Sequence, residues 1–257
     1  MKLFHKNKQQ TEILDYSSVI GPARPFATAE AHKRLRTNIM FSFAQESDSR
    51  VIGVTSSMAH EGKSTTSINL AYDLMKAGKK VLLIDADMRM SNFEKVLGIK
   101  KAPGLSNLLV GKDIDPACVQ TSADLEDLCV IACGDIPPNP SELLSSNRMA
   151  TVIEAFRKTY DYIIIDLPPI AAVTDALVVA KLTDGIVIVA RQDYADKRLM
   201  DDTVRQLQHN HANIIGFVMN CSHIENKYYG KYGKYGKYGG YGNYQQTETK
   251  FGEVNES

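Results

Sequence analysis

The sequence predicts an α/β fold in which helices cover both faces of a doubly wound, mainly parallel β-sheet. Short runs of β-branched and apolar residues, typical of buried strands, alternate with longer segments whose apolar residues recur at helical spacing. Strands that alternate with helices form right-handed βαβ units, and these units build a parallel sheet. With 257 residues, 44% of them hydrophobic, the chain is long enough for one sizeable domain of this class.

Composition divides the chain into three parts. Residues 1–25 are largely polar, end in prolines and predict a flexible N-terminal tail. Residues 26–222 contain every strand and helix pattern and predict the folded domain. Residues 223–257 are rich in glycine and tyrosine, and the 227–244 stretch has no aliphatic residue, so a disordered C-terminal tail is expected.

Charge and targeting signals exclude several classes of protein. The formal net charge is zero, so no overall field favours nucleic acid or an acidic membrane surface. No apolar stretch reaches 18 residues, and the N-terminus has no apolar signal-peptide core. The four cysteines lack metal-ligand spacing and predict free, buried thiols in a reducing compartment. We therefore expect a cytoplasmic protein, and we expect any attachment to the membrane to come from a partner protein.

The first predicted helix runs from Ala29 to about Ala44, with Thr28 as its N-cap. One side of this helix is apolar, and the opposite face carries charged residues: Glu30, Lys33, Arg34 and Arg36. By spacing alone, that charged face is an ordinary solvated surface with ion pairs between residues three apart.

A phosphate-binding loop is predicted between a strand and a helix. Val51 to Thr55 is an apolar, β-branched run, and apolar residues recur at helical spacing after Ser64. Loop amides and the helix N-terminus in this order direct partial positive charge at an anion. The proposed nucleotide-contacting residues are Ser57, Met58, Ala59, His60, Glu61, Gly62, Lys63, Ser64 and Thr65.

Within that loop the sequence matches the P-loop motif G-x-x-x-x-G-K-[ST] except at its first position, which is Ser57. Lys63 would place a full positive charge at the β- and γ-phosphates of a nucleotide, and Ser64 would ligate Mg²⁺. The flanking strand and helix favour a deviant P-loop over the alternative, a serine-rich turn that happens to contain Gly-Lys-Ser. The chain is thus predicted to be a P-loop NTPase with deviant Walker motifs.

Acidic residues follow two further predicted strands. Four apolar residues lead to Asp85 and Asp87, and the run from Tyr162 ends at Asp166, the expected Walker B carboxylate. Carboxylates at the carboxyl edge of a parallel sheet lie where ligands bind in doubly wound folds. Two acids two residues apart on an extended chain point the same way, so Asp85 and Asp87 could face one metal site, although strand ends also carry incidental acids.

The remaining elements are predicted from shorter patterns. They are a short helix near Leu105–Leu109, a strand at Leu128–Ala132, a helix from an Asn147 cap to Arg157, a strand at Gly185–Ala190, a helix with Leu199, Met200, Thr203, Val204 and Leu207 on one face, and a last strand at Ile214–Met219.

Seven of the chain's twelve tyrosines recur at a period near three in the C-terminal tail, interleaved with glycine and lysine: Tyr228, Tyr229, Tyr232, Tyr235, Tyr238, Tyr241 and Tyr244. One interpretation is an RNA-binding tail of basic and aromatic residues. The other is a series of phosphate acceptors.

These features together resemble the bacterial tyrosine kinases of capsule and exopolysaccharide synthesis. The resemblance covers about Thr28 to Ser222 and the tyrosine segment. The stretches that carry it are Glu30–Asn38, the P-loop, Leu83–Arg89, Gly104–Leu109, Pro137–Leu144 and Ile164–Pro169.

The resemblance implies an ATP-dependent protein-tyrosine kinase that autophosphorylates its tyrosine cluster. Asp85 then corresponds to the base for the tyrosine hydroxyl, Lys63 and Asp87 join it in the catalytic set, and Ser64, Asp87 and Asp166 hold Mg²⁺. The family's E-x-x-R-x-x-R signature, which makes subunit contacts in a ring, corresponds to Glu30, Lys33 and Arg36, and this overrides the solvated-face interpretation.

The chain departs from the family at several positions. Lys33 replaces an arginine and loses its bidentate fork. Ala59 and His60 stand where the family often has Pro-Gly, so His60 is expected at a positive φ. Met90 and Ser91 replace a common Arg-Pro pair.

The implied partners are further copies of the chain in a ring, a membrane-anchored activator or co-polymerase that recruits the kinase to the inner face of the membrane, a cognate tyrosine phosphatase and protein substrates; no nucleic acid is expected. Two other functions remain open. A partitioning or positioning ATPase would carry a lysine where this chain has Met58. A nucleotide-gated module could instead grip RNA with its tail. Asn220, after the last strand, could contact adenine as in related ATPases.

Overall fold

The structure is a computed structural model that describes residues 19–43 and 47–222. Its strands are β1 (Arg50–Ser56), β2 (Val81–Asp85), β3 (Gln120–Ser122), β4 (Leu128–Ile131), β5 (Tyr162–Asp166), β6 (Gly185–Arg191) and β7 (Ile214–Asn220). Its α-helices are α1 (Phe26–Phe41), α2 (Lys63–Lys76), α3 (Phe93–Leu97), α4 (Leu105–Val110), α5 (Pro140–Leu144), α6 (Asn147–Arg157), α7 (Asp175–Ala180) and α8 (Lys197–His209).

The strands form one sheet in the order β3-β4-β2-β5-β1-β6-β7. Every neighbouring pair is parallel except β3 with β4 at one edge. The predicted doubly wound, mainly parallel sheet is therefore confirmed. Because the strands are parallel and in register, Asp85 at the end of β2 lies opposite Asp166 at the end of β5.

Two apolar cores cover the two faces of this sheet. Alternate residues of each central strand enter opposite cores: Val51 packs into one, and Ile52 and Val54 pack into the other. The β5 side chains divide in the same way, with Ile164 opposite to Ile163 and Ile165. Strands buried on both faces need continuous apolar runs, and these were the patterns from which they were predicted.

Both predicted N-caps are wrong, Thr28 by three residues and Asn147 by one. Helix α1 begins at Phe26, directly after Pro25, whose carbonyl accepts the Ala29 amide at 3.0 Å, so Thr28 lies inside the helix. Helix α6 begins at Asn147 itself, after an extended Ser146, and no side chain caps it. The physical reason in α1 is the fixed φ of proline, which is already suited to the first turn of a helix.

Residues 19–25, which the sequence analysis placed in the N-terminal tail, pack against α2. They include a 3₁₀ turn at Gly21–Ala23, and Ile20 is buried. The Gly21 amide donates to Asn69 Oδ1 at 3.0 Å, and Arg24 pairs with Asp73. Residues 1–18 of the predicted tail, and all of the predicted 223–257 tail, lie outside the described residues.

The cysteines are free, as expected, but only Cys118 and Cys133 are buried, while Cys221 is exposed. No helix within residues 19–43 and 47–222 is long and apolar enough to cross a bilayer.

Candidate active site

The loop between β1 and α2 has the strained backbone of a phosphate-binding turn. Gly62 precedes α2 with a φ of 91°, and no side chain caps the helix there. A Cβ at Gly62 would lie 1.9 Å from the amide nitrogen of Asn220, so glycine is required on two grounds. His60 also has a positive φ, 63°, as its place in the loop predicted.

Glu61 holds the loop together from inside. Its side chain is fully buried, and Oε2 accepts from the Ser57 hydroxyl at 3.0 Å and from the Met58 amide at 2.7 Å. The Glu61 carbonyl accepts from the side-chain amide of Asn220 at 3.0 Å, which ties the end of β7 to the loop. Ser57, at the position of the missing glycine, therefore contributes a hydrogen bond to the loop.

Lys63 lies between two of the predicted carboxylates. Its ammonium is 2.8 Å from Asp87 Oδ2 and 3.6 Å from Asp166 Oδ2. The Ser64 hydroxyl donates to Asp166 Oδ2 at 2.6 Å, and the Ser67 hydroxyl donates to Asp166 Oδ1 at 2.9 Å. The P-loop and the strand-end acids thus form one cluster.

Asp85 lies behind this pair with no exposed surface. Its Oδ1 accepts from the Asp87 amide at 3.0 Å, and its Oδ2 accepts from the Ser91 hydroxyl. Asp87 is bound differently, because its Oδ1 accepts from the amides of Arg89 and Met90 while its Oδ2 faces Lys63. β2 ends at Asp85, so Asp87 lies beyond the strand, and of these two carboxylates only that of Asp87 forms an ion pair with Lys63.

The electrostatics of the cluster follow from its burial. Burial and the neighbouring charge of Asp166 raise the pKa of Asp85 well above its usual range. Burial also raises the pKa of Asp166, although Lys63 and the two serine hydroxyls oppose the shift. Burial alone would lower the pKa of Lys63, but the charges of Asp166 and Asp87 raise it above its usual value. Lys63 is therefore a permanent cation, and Asp85 is the carboxyl with the strongest tendency to hold a proton.

A cleft of about 220 Å³ opens in front of this cluster. Its polar end contains six of the proposed nucleotide-contacting residues and one predicted metal ligand: Ala59, His60, Gly62, Lys63, Ser64, Thr65 and Asp87. Its other end is apolar. Six predicted site residues do not line the cleft: Ser57, Met58, Glu61, Asp85, Asp166 and Asn220. Asp85 and Asp166 accept hydrogen bonds from the lining residues Asp87 and Ser64, whereas the other four are hydrogen-bonded to one another.

The donor set fits Mg²⁺. Ser64 Oγ and Asp166 Oδ2 are adjacent oxygen atoms, and Asp87 adds a second carboxylate beside Lys63. Within the described part of the chain, no three histidine, cysteine, aspartate or glutamate side chains group as a metal cage. Mg²⁺ commonly binds through one or two carboxylates together with substrate phosphates, so this arrangement suits it.

The predicted ring-contact residues lie on α1. Lys33 Nζ is 2.8 Å from Glu30 Oε1, an ion pair three residues apart on the exposed face. Arg36 turns instead toward α2, where its Nη1 donates to the Asp73 carbonyl at 3.3 Å. A subunit contact through these residues stays a prediction.

Sequence reasoning missed several side chains that support the site. Ser67 follows Ser64 by three residues on α2, and this helical spacing was a signal that both hydroxyls face Asp166. Arg89 was noted only as part of a motif, yet it lines the cleft and pairs with the buried Asp175 at 2.9 Å. No local pattern links Arg89 to Asp175, because the contact spans 86 residues.

The predicted phosphate-acceptor tyrosines, 228–244, lie outside the described residues. The described chain ends at Ser222, just after Asn220 contacts the P-loop. The predicted adenine contact of Asn220 stays a prediction.

The AAA domain family matches residues 49–215. The tyrosine-protein kinase CpsD of Streptococcus agalactiae is 38% identical over 196 residues, which cover 75% of this chain and 83% of that protein. The tyrosine-protein kinase YwqD of Bacillus subtilis is 36% identical over 218 residues, covering 83% of this chain and 91% of that protein. Among solved structures, the kinase domain of the Escherichia coli tyrosine kinase ETK superposes with a TM-score of 0.74 at 31% identity and covers 84% of each chain.

Proposed function

We propose that this chain transfers the γ-phosphoryl group of MgATP to the tyrosines between residues 228 and 244 of its own sequence. The chain belongs to the bacterial tyrosine-protein kinases and to the AAA domain family. The observation that carries the proposal is the position of the Lys63 ammonium in the cleft, 2.8 Å from Asp87 and 3.6 Å from Asp166. Phosphoryl transfer depends mainly on positioning and on charge neutralisation, and this cluster provides both.

Each residue then has a defined role. Lys63, the loop amides and the N-terminus of α2 would bind the β- and γ-phosphates, and Ser64, Asp87 and Asp166 would hold Mg²⁺, which supplies charge neutralisation when bound. The phenol oxygen attacks the γ-phosphorus, the bond to the β–γ bridging oxygen breaks, and ADP leaves. The phenol proton passes to Asp85. Burial raises the pKa of the Asp85 carboxyl, which makes its carboxylate a stronger base than an exposed one.

Asp85→Asn tests this assignment, with the surface substitution Asp124→Asn as its matched control. Loss of a positioned base typically costs about 10²–10⁴-fold in rate, so phosphotyrosine formation by full-length Asp85→Asn should fall by at least about 100-fold. The affinity for a fluorescent ATP analogue should stay within about twofold, because Asp85 does not line the cleft. Wild-type turnover by Asp85→Asn would refute the role of Asp85.

Transfer between subunits is supported by the length of the tail. A 22-residue tether that behaves as a flexible chain, as its composition predicts, would have a root-mean-square span of about 25 Å and a full stretch near 75 Å, enough to enter a neighbouring site. The test mixes a Lys63→Met subunit that keeps its tyrosines with an active subunit whose seven tail tyrosines are phenylalanine. Phosphotyrosine on the Lys63→Met subunit supports transfer in trans, and its absence contradicts it.

Phosphorylation would change the net charge of the tyrosine segment, and this change could regulate assembly of the ring. Each phosphate adds roughly −1.5 to −2 at neutral pH, so three or four phosphates outweigh the four lysines of the 227–237 stretch. We expect phosphorylation to loosen a ring held through Glu30, Lys33 and Arg36, and light scattering before and after phosphatase treatment measures it. By resemblance, the kinase acts in capsular or exopolysaccharide synthesis, with a membrane-anchored activator that recruits it to the inner face of the membrane.

Labelled ATP separates this function from the two alternatives. A kinase gives phosphotyrosine on the protein, a partitioning-type ATPase gives free phosphate alone, and an RNA-binding module gives neither. Met58, at the position where partitioning ATPases carry a lysine, and the tyrosine cluster both favour the kinase.

A further inference from the structure

The segment that joins β2 to α3 turns back over the end of β2. The strand ends at Asp85 and the helix begins at Phe93, so Ser91 follows Asp85 by six residues. The Ser91 hydroxyl nevertheless donates to Oδ2 of the Asp85 carboxylate. Ser91 is half-buried and does not line the cleft, so an effect of its hydroxyl on the reaction would pass through Asp85.

The Asp85 carboxylate is held at both of its oxygen atoms. Oδ1 accepts from the Asp87 amide at 3.0 Å, and Oδ2 accepts from Ser91. The torsion that turns a carboxylate about its Cβ–Cγ bond is intrinsically broad, so hydrogen bonds from neighbours must fix it. Asp85 has no exposed surface, and bulk water therefore cannot replace a lost donor. Without Ser91, one end of the carboxylate would lose the hydrogen bond that fixes it.

The Ser91 hydroxyl is itself fixed in place. Its oxygen accepts from the amide of Phe93 at 3.4 Å, and Phe93 is buried in the core. The Glu94 carboxylate also lies 3.4 Å from this oxygen, and it competes with Asp85 for the single hydroxyl hydrogen. The contact with Asp85 is the shorter of the two, so the hydrogen points to Asp85.

We propose that Ser91 is a positioning residue for phosphoryl transfer, whose hydroxyl holds the Asp85 carboxylate in the orientation that receives the phenol proton. This proposal rests on the proposed function, in which Asp85 is the base. Ser91 forms no covalent bond to the transferred group, and its contribution is geometric. A misplacement of about 1 Å in a reacting group can cost roughly 100-fold in rate, so a small rotation of the carboxylate is sufficient to matter.

Ser91→Val and Ser91→Thr in the full-length chain test the proposal. The two new side chains branch alike at Cβ and have nearly the same size, but only threonine keeps the hydroxyl. The kcat for phosphotyrosine formation by Ser91→Val should fall by about 10–100-fold, while the KM for ATP stays within about twofold. Ser91→Thr should stay within about threefold of wild type in kcat. Ser91→Ala removes the hydroxyl without adding a methyl group, and it should match Ser91→Val.

A double-variant cycle shows whether Ser91 acts through Asp85. If it does, removal of the hydroxyl matters little once the carboxylate is gone. Asp85→Asn/Ser91→Val should therefore form phosphotyrosine within about twofold of the rate of Asp85→Asn alone. A merely structural role would lower the rate by the same factor in both backgrounds, and that result would overturn the proposal.

Ser146→Val is the matched control. Ser146 is also half-buried, and its hydroxyl donates to the Leu143 carbonyl at 2.6 Å; neither residue lines the cleft. The same substitution at this serine should leave both the kcat and the KM for ATP within about twofold of wild type, because no group of the site depends on its hydroxyl.

The outcomes separate the role of Ser91 from the reaction. Wild-type kcat in Ser91→Val and Ser91→Ala, together with a slow Asp85→Asn, would overturn the proposal and leave the kinase function standing. Equal losses in Ser91→Thr and Ser91→Val would also overturn it, because the hydroxyl would then not be the cause. So would a parallel loss of ATP affinity in Ser91→Val and Ser91→Ala. If wild type forms no phosphotyrosine, or Asp85→Asn turns over like wild type, the proposed function or its base fails, and the role of Ser91 fails with it.

Discussion

Arg24→Ala should be among the most destabilising single substitutions outside the active site. The Arg24 guanidinium binds Asp73 through two hydrogen bonds, at 3.1 and 2.5 Å, and its Nε donates to the Gly21 carbonyl at 2.7 Å. Each side chain of the pair is only 4% exposed. Removal of the arginine leaves the Asp73 carboxylate buried without its counter-charge.

The expected loss is about 3–5 kcal/mol in the free energy of unfolding, which is typical when one partner of a buried pair is removed. Urea unfolding followed by circular dichroism measures it. With a slope of about 2–3 kcal/mol per molar, the midpoint should fall by about 1–2 M. The pair itself is a weaker source of stability than this number suggests, so the double variant Arg24→Met/Asp73→Leu should recover most of the loss.

Lys76→Ala is the control. Its ion pair with Glu126 is half exposed on both sides, at 49% and 50%, and the substitution should leave the midpoint unchanged. A loss below about 1 kcal/mol for Arg24→Ala would show that Asp73 reaches water, and it would refute the view that the 19–25 segment is fixed to α2 by a buried charge pair.

Three further predictions concern the backbone and pH. Gly62→Ala should weaken binding of an ATP analogue by more than about tenfold, because the new Cβ would lie 1.9 Å from the Asn220 side chain and φ is 91°. The double variant Gly62→Ala/Asn220→Ala removes the steric contact but not the backbone strain, so it should recover only part of the lost affinity. Titration of each variant with the analogue measures both effects. His60→Val should cost about 1–3 kcal/mol in urea unfolding, because a β-branched residue tolerates a φ of 63° poorly, whereas His60→Asn should be nearly neutral. Burial lowers the pKa of His32 in the folded chain, so as the pH falls the unfolded chain binds a proton at this histidine before the folded chain does. The free energy of unfolding should therefore decrease as the pH drops below about 6.5, the usual pKa of histidine. Urea midpoints measured from pH 7.5 to 5.5 test this, and His32→Gln should make them depend less on pH.

The sequence predicted the central strands well because they are buried on both faces. The Ile163, Ile164 and Ile165 run has no polar residue to confuse the pattern, and the structure places it in the middle of the sheet. The edge strand β7 was predicted, but several of the shortest elements were missed. Strand β3 has three residues, Gln120–Ser122, and helices α3 and α5 have five each, so none is long enough to show a period.

The site was predicted in part for a different reason. Lys63, Ser64 and Asp166 could be placed together because the motif and the strand ends fix their positions in a parallel sheet. Ser91 and Asp175 could not, since their contacts with Asp85 and Arg89 depend on how loops return to the sheet edge. The contribution of Ile20 to the cleft could not be predicted either, because Ile20 was assigned to a tail.

The positions of the positive φ angles explain why the loop tolerates a serine at the first glycine position of the P-loop motif. The missing first glycine is Ser57, which is not among the residues with positive φ, so a side chain is tolerated there and its hydroxyl binds Glu61. The left-handed backbone instead occurs at His60 and Gly62. Gly62 is present in the motif because nothing larger fits beside Asn220, while His60 accepts the strained conformation at a cost of order 1–3 kcal/mol. The glycine pattern of a phosphate-binding loop is therefore determined by the φ angle and the nearest neighbour at each position, and a chain can lose one glycine of the motif without losing the loop.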